Sequence, residues 1–160
     1  MKRIIFMFIL ILSGLASISC SKGILKAGFP KIYNAVTASE AARYGLDEYL
    51  IYSVIRAESR YDEDAVSYAG AKGLMQITDD TFEMIRNNID IGDDIFDART
   101  NIEAGSWYLY YLYSRLGDID KTVRAYNCGI NNLSENIPQT LIFRDRVFLF
   151  YDIYLNLYSD

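Results

Sequence analysis

Apolar residues recurring every three or four positions run through most of this chain, and that period restricts it to a helical fold. From Leu46, residues Leu50, Val54 and Ala57 fall on one face of a helix, with Asp47 placed to cap its start and Glu58 at its end. A second helix is predicted behind Asp79 or Asp80, carrying Phe82, Ile85 and Ile89. The longest candidate covers Thr100 to Leu116, with Ile102, Leu109, Leu112 and Leu116 inward and Gly117 as its stop. A short helix is expected around Lys121 to Tyr126. The last is expected over Arg144 to Tyr158, where Phe148, Tyr151, Leu155 and Tyr158 share a face. Residues 60–78 lose the period and carry Gly70 and Gly73, which predicts a loop or a short irregular sheet. Nothing alternates as strands and hairpin turns do, and no strand–helix repeat points to a parallel sheet. The expected fold class is mainly α: a single globular helical domain with a small non-helical insertion around residues 60–78.

The N-terminus follows a different grammar. Lys2 and Arg3 precede an apolar run, Ile4 to Leu12, and small residues follow at Ser13, Gly14, Ala16, Ser17 and Ser19, so residues 1–19 read as a signal peptide. The run is short for a bilayer span. Cys20 comes directly after it, and the segment resembles a bacterial lipoprotein signal, although no leucine stands three places before the cysteine. That resemblance implies a lipidated Cys20 as the first mature residue, a membrane as partner through this anchor, and a location in the periplasm or cell envelope. Residues 20–38 include Gly23, Gly28 and Pro30 without a sustained helical period, so they are expected to form a tether or lead-in, with the domain proper over 39–160.

Composition removes several chemistries. The chain carries a net charge of -5, and loss of Lys2 and Arg3 with the signal makes it more acidic, with no basic stripe for nucleic acid. With 51% hydrophobic residues it can bury a core, and the roughly 140 residues left after export suit one domain. Histidine is absent, which excludes Ser-His-Asp and Cys-His catalysis and the common His-based zinc sites. Cys20 and Cys128 form no metal-ligand pattern, and neither a metal nor a cofactor is expected. Acid–base work therefore falls to carboxylates, Lys, Tyr or Cys.

Glu58 is the candidate acid. Acid catalysis near neutral pH needs a group that is still protonated there, which for a glutamate requires a raised pKa. The end of an apolar helix favours this, because desolvation and the negative end of the helix dipole both disfavour the carboxylate. Asp62 and Asp64 read as a solvated loop face, and Asp79 and Asp80 as helix caps.

Four ordered blocks then carry a family resemblance over about residues 40–150. Glu58-Ser59 with Tyr61, Ala65-Val66-Ser67 and Gly70-Ala71-Lys72-Gly73-Leu74-Met75-Gln76-Ile77 resemble the signature of the soluble lytic transglycosylase family. Phe96-Asp97, Asn101-Ile102, Gly105 and Tyr108-Leu109 are similar to its second block, Ala125-Tyr126-Asn127 with Gly129 to its third, and Ile137-Pro138, Thr140 and Arg146-Val147 to a weaker fourth. The resemblance implies an α+β lysozyme-like fold and cleavage of the β-1,4 bond between N-acetylmuramic acid and N-acetylglucosamine in peptidoglycan, leaving a 1,6-anhydromuramic end. Glu58 would act as acid and then base. Ser67, Gln76 and Asn127 would hydrogen-bond acetamido and hydroxyl groups, Met75 would line a sugar subsite, and Tyr126 would stack on a sugar or hold Glu58 through its hydroxyl.

The fourth block departs from the pattern, with Gln139, Thr140 and Phe143 where the family has Glu, Thr and a tyrosine facing the active site; Phe143 is left as a stacking surface at most. Cys128 stands where the family often has alanine and reads as a small buried hydrophobe. Tyr108, Tyr111, Tyr151 and Tyr154 read as helix-packing residues. Two other functions fit the same blocks: a catalytically weak peptidoglycan-binding scaffold, and a hydrolytic lysozyme. Partner proteins in envelope assembly are expected only by analogy.

Overall fold

The computed structural model describes residues 23–133 and 137–159. From residue 34 onward six α-helices order the described chain: α1 (Asn34–Tyr44), α2 (Glu48–Glu58), α3 (Asp79–Arg86), α4 (Ala98–Leu116), α5 (Ile119–Cys128) and α6 (Pro138–Tyr158), with a 3-10 turn at Ile130–Asn132 between the last two. No strand forms among the described residues; the insertion holds only the isolated bridges Val66 to Lys72 and Lys72 to Ile77. The mainly helical class expected from the apolar period is the one observed. No helix among the described residues is long and apolar enough to cross a membrane.

Helix α2 is central because it is apolar on nearly every side: Leu50, Ile51, Tyr52, Val54, Ile55 and Ala57 are all buried. Asp47 caps it, its carboxylate accepting from the Tyr49 amide at 2.8 Å. Helix α6 lies along it and α1 packs beside it. The α3 cap is Thr78 and not Asp79 or Asp80: its hydroxyl accepts from the Thr81 amide at 3.4 Å, which leaves Asp79 free to pair with Lys72 at 2.7 Å. Ile89 lies past the end of α3 at Arg86. Helix α4 starts two residues before Thr100, capped by Asp97, whose carboxylate accepts from the Thr100 amide at 2.8 Å; these bonds hold its pKa below the ordinary value. Gly117 ends it in the left-handed region at φ 60°, as expected. Helices α5 and α6 both extend beyond their expected starts, α6 because Pro138 opens it at a position where a missing N–H costs nothing.

The lead-in differs from expectation. Residues 23–28 are helical and α1 begins at Asn34, inside the segment read as a tether. Helix α1 escaped the period because its buried stripe is half polar: Val36 and Ala41 alternate with Thr37 and with Glu40, which is only 3% exposed. Thr37 is satisfied by donating to the Tyr52 hydroxyl at 2.8 Å. Ahead of α1, Phe29 packs edge-on against Phe150 and Tyr154, and Lys31 pairs with Glu48 above the Tyr49 ring. From Phe29 onward this stretch is packed, not loose.

The insertion hangs from one buried amide. Asn101 on α4 accepts from the Met75 amide at 2.7 Å and donates to the carbonyl oxygens of Ile95 at 2.8 Å and Lys72 at 3.1 Å. A side chain at Gly73 would meet Asn101 Nδ2 at 2.4 Å, and its φ of +73° is one that L residues rarely adopt. Leu74, Met75 and Ile77 are thereby driven into the core.

Candidate active site

The insertion, α2 and α5 enclose a cleft of about 410 Å³. Glu58, the last residue of α2, enters it from one side. Burial pushes its pKa up to about 8, and Arg146 on α6 opposes this only in part. Among the described residues no side chain donates a hydrogen bond to the Glu58 carboxyl, and no other carboxylate lines the cleft. Asp62 and Asp64 are exposed outside it, as expected. Among the described residues the wall thus holds one acid, and it keeps its proton at neutral pH.

Four of the expected site residues meet around Glu58: Ser67, Gln76, Tyr126 and Asn127. Each has part of its hydrogen-bonding capacity tied up by the fold, which fixes what is left. Ser67 Oγ accepts from the Ala71 amide at 3.0 Å, so its O–H remains to donate. Gln76 sits at φ 52° and donates from Nε2 to the carbonyl oxygens of Ala65 and Gly73, both at 3.0 Å, leaving Oε1 as an acceptor. Asn127 Oδ1 accepts from the Thr140 hydroxyl at 3.0 Å, leaving its NH₂ as a donor. Donors and an acceptor of this kind suit a ligand rich in hydroxyl and amide groups.

Three expectations are corrected. The Tyr126 hydroxyl donates to the Met75 carbonyl oxygen at 2.8 Å and not to Glu58. It still lines the same cleft as the acid, and burial first and the charge of Glu58 second raise its pKa well above the ordinary value. Met75 is 0% exposed with its thioether against Gly105, where a Cβ would lie 2.4 Å from the sulfur; it supports the wall from beneath and lines no sugar subsite. Phe143 is 6% exposed within the core and offers no stacking face. Cys128 departs in the other direction: it is partly exposed and lines the cleft.

The period assigned Tyr108 to packing, yet it lines the cleft, tilted on Tyr126 with ring centroids 5.4 Å apart. Its position on α4 is apolar-facing, and only the approach of α5 turns that face into a wall. Thr78 and Thr81 also line the cleft, and their hydroxyls are paired at 2.9 Å. Among the described residues no group of three or more His, Cys, Asp or Glu side chains is arranged to hold a metal. A second cavity, about 290 Å³, lies at the start of α2 and is lined by Leu46, Leu50, Phe148 and Tyr151; its one carboxylate, Asp47, is occupied by the helix cap and by the Tyr151 hydroxyl at 2.7 Å.

Comparison with known proteins converges on the family that the four blocks resemble. Membrane-bound lytic murein transglycosylase C of Mannheimia succiniciproducens is 36% identical over 111 residues, covering 61% of this chain and 31% of the relative. Membrane-bound lytic murein transglycosylase F of Desulfosudis oleivorans is 37% identical over 102 residues, covering 59% of this chain and 21% of the relative. The chain therefore spans only about a fifth to just over a third of the length of the curated relatives it matches. The 70 kDa soluble lytic transglycosylase SLT70 from Escherichia coli shares the fold, with a TM-score of 0.79 at 22% identity over 85% of this chain and 26% of that one. Residues 35–148 match the transglycosylase SLT domain, and the chain belongs to that family.

Proposed function

We propose that this chain is a peptidoglycan lytic transglycosylase that cuts the β-1,4 bond between N-acetylmuramic acid and N-acetylglucosamine. The observation that carries this is Glu58: a half-buried carboxyl with a pKa of about 8, the one carboxylate among the described residues that line a cleft of hydroxyl and amide groups. A hydrolase of the retaining or inverting kind needs a second carboxylate at about 5–9.5 Å as nucleophile or water activator. A substrate that supplies its own nucleophile does not.

In the proposed reaction the Glu58 carboxyl gives its proton to the bridging oxygen as the bond from that oxygen to C1 of the muramic sugar breaks. The N-acetylglucosamine unit leaves with a free hydroxyl, and the acetamido oxygen of the muramic sugar supports the cation at C1. The C6 hydroxyl of the same sugar then bonds to C1, and its proton passes to the Glu58 carboxylate. The acid is restored, no water is consumed, and the product carries a 1,6-anhydro ring. The Ser67 O–H and the Asn127 NH₂ are suited to hold the sugar's acceptor groups, and Gln76 Oε1 its amide or hydroxyl hydrogens.

Export and attachment complete the proposal. Cys20 lies outside the described residues; we read it as a lipidation site that places the domain on a membrane facing the wall. The membrane-bound relatives support that reading. Digestion of purified peptidoglycan followed by mass spectrometry of the fragments is the test. Anhydro ends are expected; ends heavier by one water would make the protein a hydrolase, and no soluble fragments would make it a binding protein.

A further inference from the structure

The insertion that walls the cleft also carries a tyrosine for which folding has no use. Tyr68 has a relative exposure of 110%, so its ring touches almost nothing of the protein. It occupies a tight turn: the Gly70 amide donates to the Ser67 carbonyl oxygen at 3.0 Å, the Ala71 amide to Ser67 Oγ at 3.0 Å, and the Ser67 amide to the Ala71 carbonyl oxygen at 2.9 Å. The bridges from Val66 to Lys72 and from Lys72 to Ile77 fasten that turn to the cleft floor. Ser67, Ala69 and Ala71, on either side of Tyr68 in sequence, line the cleft. A hydrogen-bonded turn thus holds an unpacked aromatic ring on a segment whose flanking residues form the cleft wall.

An exposed turn position would be served by a polar residue, and a ring left in water gains nothing for stability. The apolar C–H face of a pyranose packs on an aromatic plane, and a tyrosine does this at low entropic expense because only two side-chain angles are fixed. We propose that Tyr68 is a saccharide-stacking residue that grips a sugar of the glycan strand outside the bond on which Glu58 acts. This rests on the reading of the cleft as a glycan-strand site and adds to it a rim contact that governs affinity, not chemistry. Because stacking involves no charge, it should be indifferent to salt.

The test uses the full chain with Glu58→Gln, which removes the transferable proton so that strands are held without being cut. The dissociation constant for soluble, peptide-free glycan strands is measured by titration calorimetry at low and high salt, alone and with Tyr68→Ala or Tyr68→Phe added. Tyr68→Ala should weaken binding by about 5- to 10-fold at both salt levels with an unchanged melting temperature, whereas Tyr68→Phe should stay within about twofold. Equal affinity for Tyr68→Ala, or a loss in Tyr68→Phe as large as in Tyr68→Ala, overturns the stacking role while leaving the cleft's function intact. If the Glu58→Gln protein binds no strand and the wild type releases no fragments, the reading of the cleft falls and this contact falls with it.

Discussion

The Tyr61 hydroxyl donates to the carbonyl oxygen of Pro30 at 2.9 Å, which ties the segment ahead of α1 to the turn that follows Glu58. Arg60 and Tyr61 in that turn are both left-handed, at φ 56° and 71°, a conformation that costs about 1 kcal/mol or more unless neighbours hold it. Tyr154 converges on the same oxygen at 3.2 Å, and Tyr158 donates to the Phe29 carbonyl oxygen at 2.9 Å. The lead-in is thereby strapped across the end of the helix that presents the acid.

Tyr61→Phe should lower the stability of the fold. The change removes one donor from a half-buried network and keeps the ring, so a loss of about 1–2 kcal/mol is expected. Urea denaturation followed by circular dichroism measures it. A midpoint equal to that of the wild type would show that Tyr154 alone satisfies Pro30 and that the strap is redundant.

Asn101 should be the more sensitive position, since one amide serves three backbone groups of the insertion. Asn101→Ala leaves those groups buried without partners and should cost about 3 kcal/mol or more, with loss of activity as the Met75 and Gln76 wall loosens. Asn101→Asp probes the mechanism by pH. An ionised carboxylate would face the carbonyl oxygens of Lys72 and Ile95, so its folded pKa should rise above the ordinary value. Stability of this variant should then fall as pH increases from 4 to 7. A flat profile across that range would mean that the two carbonyls do not depend on the Nδ2 donor.

Much of this architecture was legible because apolar residues at helical spacing carry it. Helices α2 and α4 announced themselves through Leu50, Val54 and Ala57 and through Ile102, Leu109 and Leu112, and Gly117 marked an end. Helix α1 was hidden because the sequence pattern treats Thr37 and Glu40 as outward-facing, whereas the Tyr52 hydroxyl supplies Thr37 with a buried partner. In the site, Glu58, Ser67, Gln76, Tyr126 and Asn127 came from the motif blocks, and the structure brings them together. Motif spacing does not say how deep a side chain lies. Met75 follows its blocks into the core and Phe143 does the same, while Cys128 and Tyr108 end in the wall because α5 and α4 meet there.

The position of Cys128 leads to a chemical prediction. A thiol on the cleft wall lies where a strand would pass, so capping it with a bulky maleimide should obstruct substrate even though the sulfur takes no part in the reaction. Turnover of peptidoglycan by the wild type should drop at least severalfold after labelling. Cys128→Ala should keep its activity before and after the same treatment. Equal inhibition of the alanine variant would place the obstruction elsewhere.

Glu58 sets the dependence of both stability and rate on pH, and both fall as pH rises, stability between the unfolded and folded values and rate above the folded one. Its carboxyl has an ordinary value of 4.5 and a folded value of about 8, so between these the folded chain keeps a proton that the unfolded chain has released. The folded state then binds more protons, and stability falls as pH rises through that window; the full contribution is present only below about pH 4.5. Glu58→Gln keeps the shape and removes the ionisation, so the variant should match the wild type near pH 4 and exceed it by on the order of 3 kcal/mol near pH 8. Activity depends on the same proton. The first step needs the neutral acid, so kcat/KM of the wild type should decline above about pH 8, and Glu58→Gln should release no fragments at any pH. Denaturation curves across this range, set beside fragment release over the same range, measure both effects on one residue. A variant no more stable than the wild type at pH 8 would mean that the carboxylate is solvated after all, and then nothing would keep the acid protonated for the first step.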